Sequence, residues 1–300
     1  MGPRERECVP ELPVRSNALA VDMKASIIIP CHNRSDDVAE LLTSLDVDTL
    51  AVLGVEVIVA DDGSTDGTAT MVQREFPGVR VLTSAVNMGP ARTRNRAAAA
   101  ARGPLLLYLD SDGAVAPGWL EAMLGHDDGR TVLLGNVVDF EGGRVQSVPR
   151  RATFLGKSLR CRPERANSGP SCNLGIPKAC FEALGGFDED IPYYFEDSDL
   201  CIRARHAGCG FAFVADAVFR HKGVERKRGD AVRMQERNSV YAMLKAYAGR
   251  PLHTTAFVIL NTGWFALRLL TWGLCGRWGD CRRLVRGFIE GHRAFLHRNS

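Results

Sequence analysis

The sequence predicts an α/β protein: a single doubly wound, mostly parallel sheet flanked by helices, with a helical C-terminal extension. Three observations carry this. Short β-branched runs alternate with stretches of helical periodicity over about the first 125 residues, the alternation that builds a parallel sheet. The runs end in acid-rich polar turns, where such sheets bind ligands. From about Asp230 the strand pattern gives way to long helical stretches.

The elements follow in order. ASIIIP (25–30) and VEVIVADDGS (55–64) read as strands buried on both faces. Between them SDDVAELLTSLD has helical spacing, with Ser35 as the expected N-cap. TDGTATMVQREF (65–76) reads as a second helix and VRVLTS (79–84) as a third strand. GPARTRNRAAAAAR (89–102) is helical by its Ala and Arg content. PLLLYLDSDG (104–113) repeats the pattern of an apolar strand running into acids, and TVLLGNVVDF (131–140) is strand-like. Residues 141–169 read as loop-rich. PKACFEALGG closes a short helix on Gly185-Gly186, and EDSDLCIRARHAG a further one on Gly208.

With 45% hydrophobic and 24% charged residues, the 300-residue chain has material for an ordinary core. A formal charge of +3 gives no case for a nucleic-acid partner, although basic residues concentrate after Gly223. The nine cysteines form no CxxC pair and no zinc spacing, so they read as free thiols in a reducing compartment. Residues 1–22 read as a flexible lead without the apolar core of a signal peptide. A cytoplasmic protein is the expectation. The most apolar stretch, 252–276, is interrupted by Asn261, Thr262, Gly263 and Arg268. With the basic helix after it, this stretch is a candidate for the inner face of the cell membrane; a core-packed or dimer-forming helix pair is the alternative.

Two acidic clusters call for chemistry. Asp61-Asp62 and Asp110-Ser111-Asp112 both fall at strand ends. Neither completes a calcium-binding EF-hand loop, since the first lacks the Glu at position 12 and the second has Val115 where Gly is required. An Asp-rich turn explains the first cluster as well as a ribose- or base-binding acid does. The second is a D-x-D that can hold Mg²⁺ or Mn²⁺ against a diphosphate. A third group, Glu196, Asp197 and Asp199, sits among Tyr193, Tyr194 and Phe195. Glu196 and Asp199 also suit the first turn of a helix, whose dipole favours acids.

The segments SIIIPCHNR (26–34), VIVADDGSTDGT (57–68), NMGPARTRNRA (87–97), LLLYLDSDGAVAPGWLE (105–121) and CNLGIPKACFEALGGFDEDIPYYFEDSDLCIRARHAG (172–208) stand in this order. Together they resemble the family 2 glycosyltransferases, inverting enzymes of GT-A fold that use nucleotide sugars. The resemblance continues more loosely through FRHKGV and QERNSVYAMLKAY. It implies a GT-A domain over 23–225, with a nucleotide-binding half to about 125, and a helical extension over 226–300. It implies that Pro30 ends the first strand and that His32, where relatives often carry Tyr, stacks on the base. Asp62 contacts the base, and Arg94 lies near the base or diphosphate. Asp110 faces the ribose or metal beside Ser111, and Asp112 ligates Mn²⁺ or Mg²⁺, assisted by His221. Asp197 is the implied general base, with Glu196 beside it. The basic 225–229 segment next to His221 is a candidate to close over a diphosphate.

The implied partners are a UDP- or dTDP-type sugar donor and a hydroxyl acceptor, whether saccharide, lipid-linked glycan or small metabolite. The division of acids suits that chemistry. A departing diphosphate needs a cation, and the attacking hydroxyl needs a base on the opposite face of the sugar. A sugar-phosphate nucleotidylyltransferase would want a Gly-rich phosphate loop where this chain has PCHNRSDD. A non-catalytic sugar-nucleotide-binding protein would lack the metal or base acids. No G-x-G-x-x-G follows a strand, which excludes a dinucleotide dehydrogenase.

Overall fold

The computed structural model describes residues 22–140, 145–147, 149–191, 193–223 and 228–298. The lead over 1–22 lies outside them except for Asp22, as does most of the basic 225–229 segment. Strands β1 (Ala25–Cys31), β2 (Val55–Asp61), β3 (Arg80–Thr83) and β4 (Leu105–Leu109) pair in parallel in the order β3-β2-β1-β4. β2 and β4 are buried along their whole length, as strands covered on both faces must be. The chain reverses its winding at β1, which places the switch-point crevice beyond the carboxyl ends of β1 and β4.

The crossovers cover both faces. Helices α1 (Ser35–Leu45), α2 (Val47–Val52) and α3 (Thr68–Glu75) lie on the side of Ile27 and Ile29, where Val38, Leu41, Leu42 and Val72 join one core. Helix α4 (Pro90–Ala100) lies on the side of Ile28, where its Ala91, Ala97 and Ala98 pack. Burying each such Ile or Leu is worth about 1.5–3 kcal/mol. Ser35 is not the cap of α1. The cap position falls on Arg34, which makes no side-chain cap bond. The free N–H groups of Arg34 and Ser35 instead donate to Thr68 Oγ1 (3.2 Å) and Asp66 Oδ2 (3.2 Å). Groups from the turn after β2 thus satisfy the helix start from a distance in sequence, a partner that local capping rules do not see.

After β4 come β5 (Gly113–Val115), α5 (Trp119–Gly125), β6 (Thr131–Asp139) and β7 (Val145–Ser147). The segment expected to be loop-rich also holds a hairpin, β8 (Arg150–Ala152) with β9 (Ser158–Arg160). Then follow β10 (Asn173–Pro177), α6 (Lys178–Ala183), α7 (Glu196–His206) and β11 (Gly210–His221). β10 runs antiparallel to both β4 and β6, and β11 runs parallel to β6. Among the described residues, six of the nine strands of this sheet therefore point one way, and β5, β7 and β10 the other. Trp119 is buried and its indole N–H donates to Asn173 Oδ1 at 2.9 Å, so it packs in the core.

The described residues beyond the sheet form α8 (Arg228–Ala246), α9 (Pro251–Leu274) and α10 (Trp278–Arg298). α8 shares a small core with α7 through Ile202, Val240, Met243 and Leu244. α10 lies directly on α8, because a Cβ at Gly291 would come within 2.6 Å of Arg237 O. α9 is long and apolar enough to cross a membrane by length and composition. Of its residues only Phe257 and Asn261 are buried. The core-packed alternative therefore does not describe it.

Candidate active site

All ten residues singled out by sequence line one cleft of about 510 Å³. Pro30 and His32 come from the end of β1 and the turn after it, Asp62 from the turn after β2, and Arg94 from α4. Asp110, Ser111 and Asp112 follow β4, Glu196 and Asp197 open α7, and His221 ends β11. The cleft is the switch-point crevice.

At the mouth of β1, His32 Nδ1 donates to Asp62 O at 2.9 Å, which fixes the imidazole there. The Asp62 carboxylate accepts from Met88 N (2.9 Å) and Gly89 N (2.8 Å). It thereby ties the loop before α4 to β2, and each oxygen keeps a second acceptor site. Arg34, not singled out by sequence, also lines this wall and pairs with Asp37 at 2.9 Å.

At the centre, Gly113 pairs with His221 in the β5–β11 register. A side chain at Gly113 would run into the Phe219 ring and Arg220 O, so only glycine permits this approach. The pairing brings Asp112 Oδ1 to 3.1 Å from His221 Nε2. Asp110, Asp112 and His221 place their ligand atoms within 4.8 Å of one another. Two carboxylates and an imidazole at that spacing fit a divalent cation. Burial works to raise the Asp112 pKa, but the hydrogen bond and charge of His221 outweigh it and hold the carboxyl below its usual range.

Arg94 joins this centre to the carboxylates that open α7. Buried in α4, it donates to Asp110 Oδ1 at 2.7 Å and to Glu196 Oε1 at 3.4 Å. Burial and the neighbouring charge of Asp197 push the Glu196 carboxyl up to about 7. Asp197 is raised as well, first by burial, against the Ser198 N–H it accepts at 2.6 Å. A carboxylate whose pKa is raised is a better proton acceptor for a hydroxyl than an ordinary aspartate. Tyr193 reaches the cleft, whereas Tyr194 and Phe195 line an adjoining cavity beside Asp197. Asp199 is an ion-pair hub as well as a first-turn acid, 2.7 Å from both Arg203 and Lys245.

Sequence reasoning missed how this corner is held. Tyr194 and Phe195 both adopt positive φ (61° and 82°) immediately before Glu196, a conformation costly for aromatic residues. Asn238 of α8, fully buried, donates to Tyr193 O (2.6 Å) and Tyr194 O (2.8 Å) and clamps the turn. Two aromatic residues in the left-handed region leave no sequence signal, because that region is usually marked by Gly or Asn.

The architecture and its cleft define a GT-A type protein. Staphylococcus aureus TarS (residues 1–349), solved in complex with UDP, superposes with a TM-score of 0.58 at 24% identity, over 79% of this chain and 71% of that one. The mannosyltransferase PcManGT of Pyrobaculum calidifontis, solved with GDP-Man and Mn²⁺, gives 0.57 at 18% identity, over 91% and 88%. The model of glycosyl transferase family 2 matches residues 26–183, more than half of the chain, and the chain belongs to that family. It is 31% identical over 208 residues to a pre-mycofactocin glycosyltransferase of Mycobacterium tuberculosis, a match covering 65% of this chain but 42% of that protein. It is 25% identical over 223 residues to the glycosyltransferase AglE of Haloferax volcanii, covering 71% and 70%.

Proposed function

We propose that the protein is an inverting glycosyltransferase that moves a sugar from a UDP- or dTDP-type donor to an acceptor hydroxyl. The observation that carries the reading is the arrangement around Arg94: a metal-ligating cluster on one side and a raised carboxylate pair on the other, within one cleft. His32, Asp62 and the turn after Pro30 hold the nucleoside. Arg94 holds Asp110 and Glu196 at fixed separation across the reacting sugar. Asp197 accepts the proton of the acceptor hydroxyl as its oxygen bonds to the anomeric carbon, and the bond to the diphosphate breaks on the opposite face. Asp110, Asp112 and His221 would hold Mn²⁺ or Mg²⁺, which would supply positive charge against the departing diphosphate. The imidazole ligand favours Mn²⁺, because Mg²⁺ prefers an oxygen shell.

Residues 23–225 form the catalytic unit in this reading and 226–300 the extension. The acceptor is a saccharide, lipid-linked glycan or small metabolite that enters beside Tyr193 and Tyr194. The extension carries 14 Lys and Arg against four Asp and Glu. Beside that charge stand the exposed Ile259, Leu260, Trp264, Leu267, Leu270 and Trp278. Apolar side chains next to arginines complement an anionic lipid surface, and we place the protein in the cytoplasm at the inner face of the membrane. The test is release of nucleoside diphosphate from a panel of nucleotide sugars with Mn²⁺. Asp197→Asn is expected to cut turnover about 10²–10⁴-fold while leaving nucleotide affinity intact. No turnover of any donor by the wild type, with or without acceptors, would sink the reading.

A further inference from the structure

A second cavity, of about 880 Å³, lies at the other end of α7 from the cleft. Asp197 is in the first turn of α7, and Arg205 and His206 are in its last. At 1.5 Å per residue they stand about 12–14 Å apart along the helix. Six arginines line this cavity: Arg151 and Arg160 from the β8–β9 hairpin, Arg162 and Arg165 from the turn after it, Arg205 from α7, and Arg250 just before α9. Among the described residues no Asp or Glu lines it. None of the six makes an ion pair among the described residues; Arg205 donates instead to Ala152 O at 2.9 Å. Other arginines of the chain do pair with acids, as in Arg203–Asp199, Arg233–Glu290 and Arg268–Glu236.

The wall is built to hold its shape. Phe154 and Tyr247 stack at 4.7 Å and 24°, and the Tyr247 hydroxyl donates to Phe154 O at 2.9 Å. His206 and His253 flank the Tyr247 ring at 6.1 and 5.9 Å. The His206 imidazole is held below its usual pKa by burial and then by the charges of Arg205, Arg250 and His253. Six arginines bordering one cavity with an aromatic wall, with no acid among its described lining residues, favour an external anion. Guanidinium forks match phosphate oxygens bidentately, and six of them exceed what one phosphate can accept.

We propose that this cavity binds a phosphate-bearing ligand with at least two phosphate groups, separately from the donor nucleotide and without a metal. A soluble phosphorylated saccharide and a phosphorylated lipid headgroup present the same chemistry to it.

The test uses the full chain in EDTA, which strips the Asp110–Asp112–His221 cluster of any metal, and titrates inorganic pyrophosphate calorimetrically. The comparison is the double variant Arg160→Glu/Arg250→Glu, whose side chains are exposed. Its Tm and its UDP binding with Mn²⁺ report that the fold and cleft persist. The wild type is expected to bind pyrophosphate with an affinity that falls with salt, and the variant at least tenfold more weakly. In a second arm, vesicles of phosphatidylcholine with and without a polyprenyl diphosphate are sedimented with each protein. Loss of diphosphate-dependent sedimentation in the variant assigns the anion to a lipid headgroup; loss confined to pyrophosphate assigns it to a soluble ligand. Absence of pyrophosphate binding by the wild type, or equal binding by the variant, overturns the proposal. The readout needs no transferase activity, so its failure is separate from failure of the function proposed above.

Discussion

Asn238 Nδ2 donates to Tyr194 O at 2.8 Å, joining α8 to the turn that presents Asp197. The same amide holds Tyr193 O, so one side chain restrains two consecutive carbonyls of a strained turn. Asn238→Ala leaves both carbonyls short of a donor and is expected to cost about 1–3 kcal/mol of stability. Turnover should fall at temperatures where the variant is still folded, while UDP affinity stays at the wild-type value. A variant that loses stability but keeps full turnover would show that the clamp does not position the base.

The pH dependence follows from the raised carboxyls. Asp197 accepts a proton only when ionised, so turnover should climb with pH through its raised pKa, and Asp197→Asn should erase that limb. Stability runs the opposite way. Glu196 holds its proton more tightly folded than unfolded, with a pKa of about 7 against an ordinary 4.5. Its contribution is therefore fully present below 4.5 and is lost as pH rises through about 7. Thermal unfolding at pH 5 and pH 8 should show a decline that Glu196→Gln reduces. An unchanged decline in that variant would place the titrating group elsewhere.

The exposed face of α9 gives a prediction about location. Leu267 and Leu270 are 51% and 61% exposed, so Asp at both positions should leave Tm nearly unchanged. Co-sedimentation with anionic vesicles should drop at least tenfold. Retained sedimentation by the doubly substituted protein would rule out α9 as the lipid-contacting element.

Much of the fold was legible because its first half is regular. The runs Ile27–Ile29, Val57–Val59 and Leu105–Leu109 are apolar on both faces, as buried parallel strands are, and the second and third stop at acids that line the cleft. The antiparallel strand β10 was not legible, since NLGIP is short and contains both Gly and Pro. Its place is set by Asn173, whose amide donates to Asn136 O and Ala217 O across neighbouring strands. The positions of Asp110, Asp112 and Asp197 could be marked in the sequence by residue type and order. The contacts that hold them could not. Arg94 reaches Glu196 across 102 residues, and Asn238 reaches Tyr194 across 44, contacts that depend on tertiary packing and not on local pattern.

The central claim is that Asp112 and His221 hold a cation against a nucleoside diphosphate. The most direct measurement is isothermal titration of UDP, dTDP and GDP, each with Mn²⁺ and with EDTA, into the wild type and into Asp112→Ala. The account predicts binding of at least one nucleotide that requires Mn²⁺ in the wild type and is lost in the variant. Binding that is indifferent to EDTA and to the substitution, or no binding of any nucleotide by the folded wild type, would contradict it.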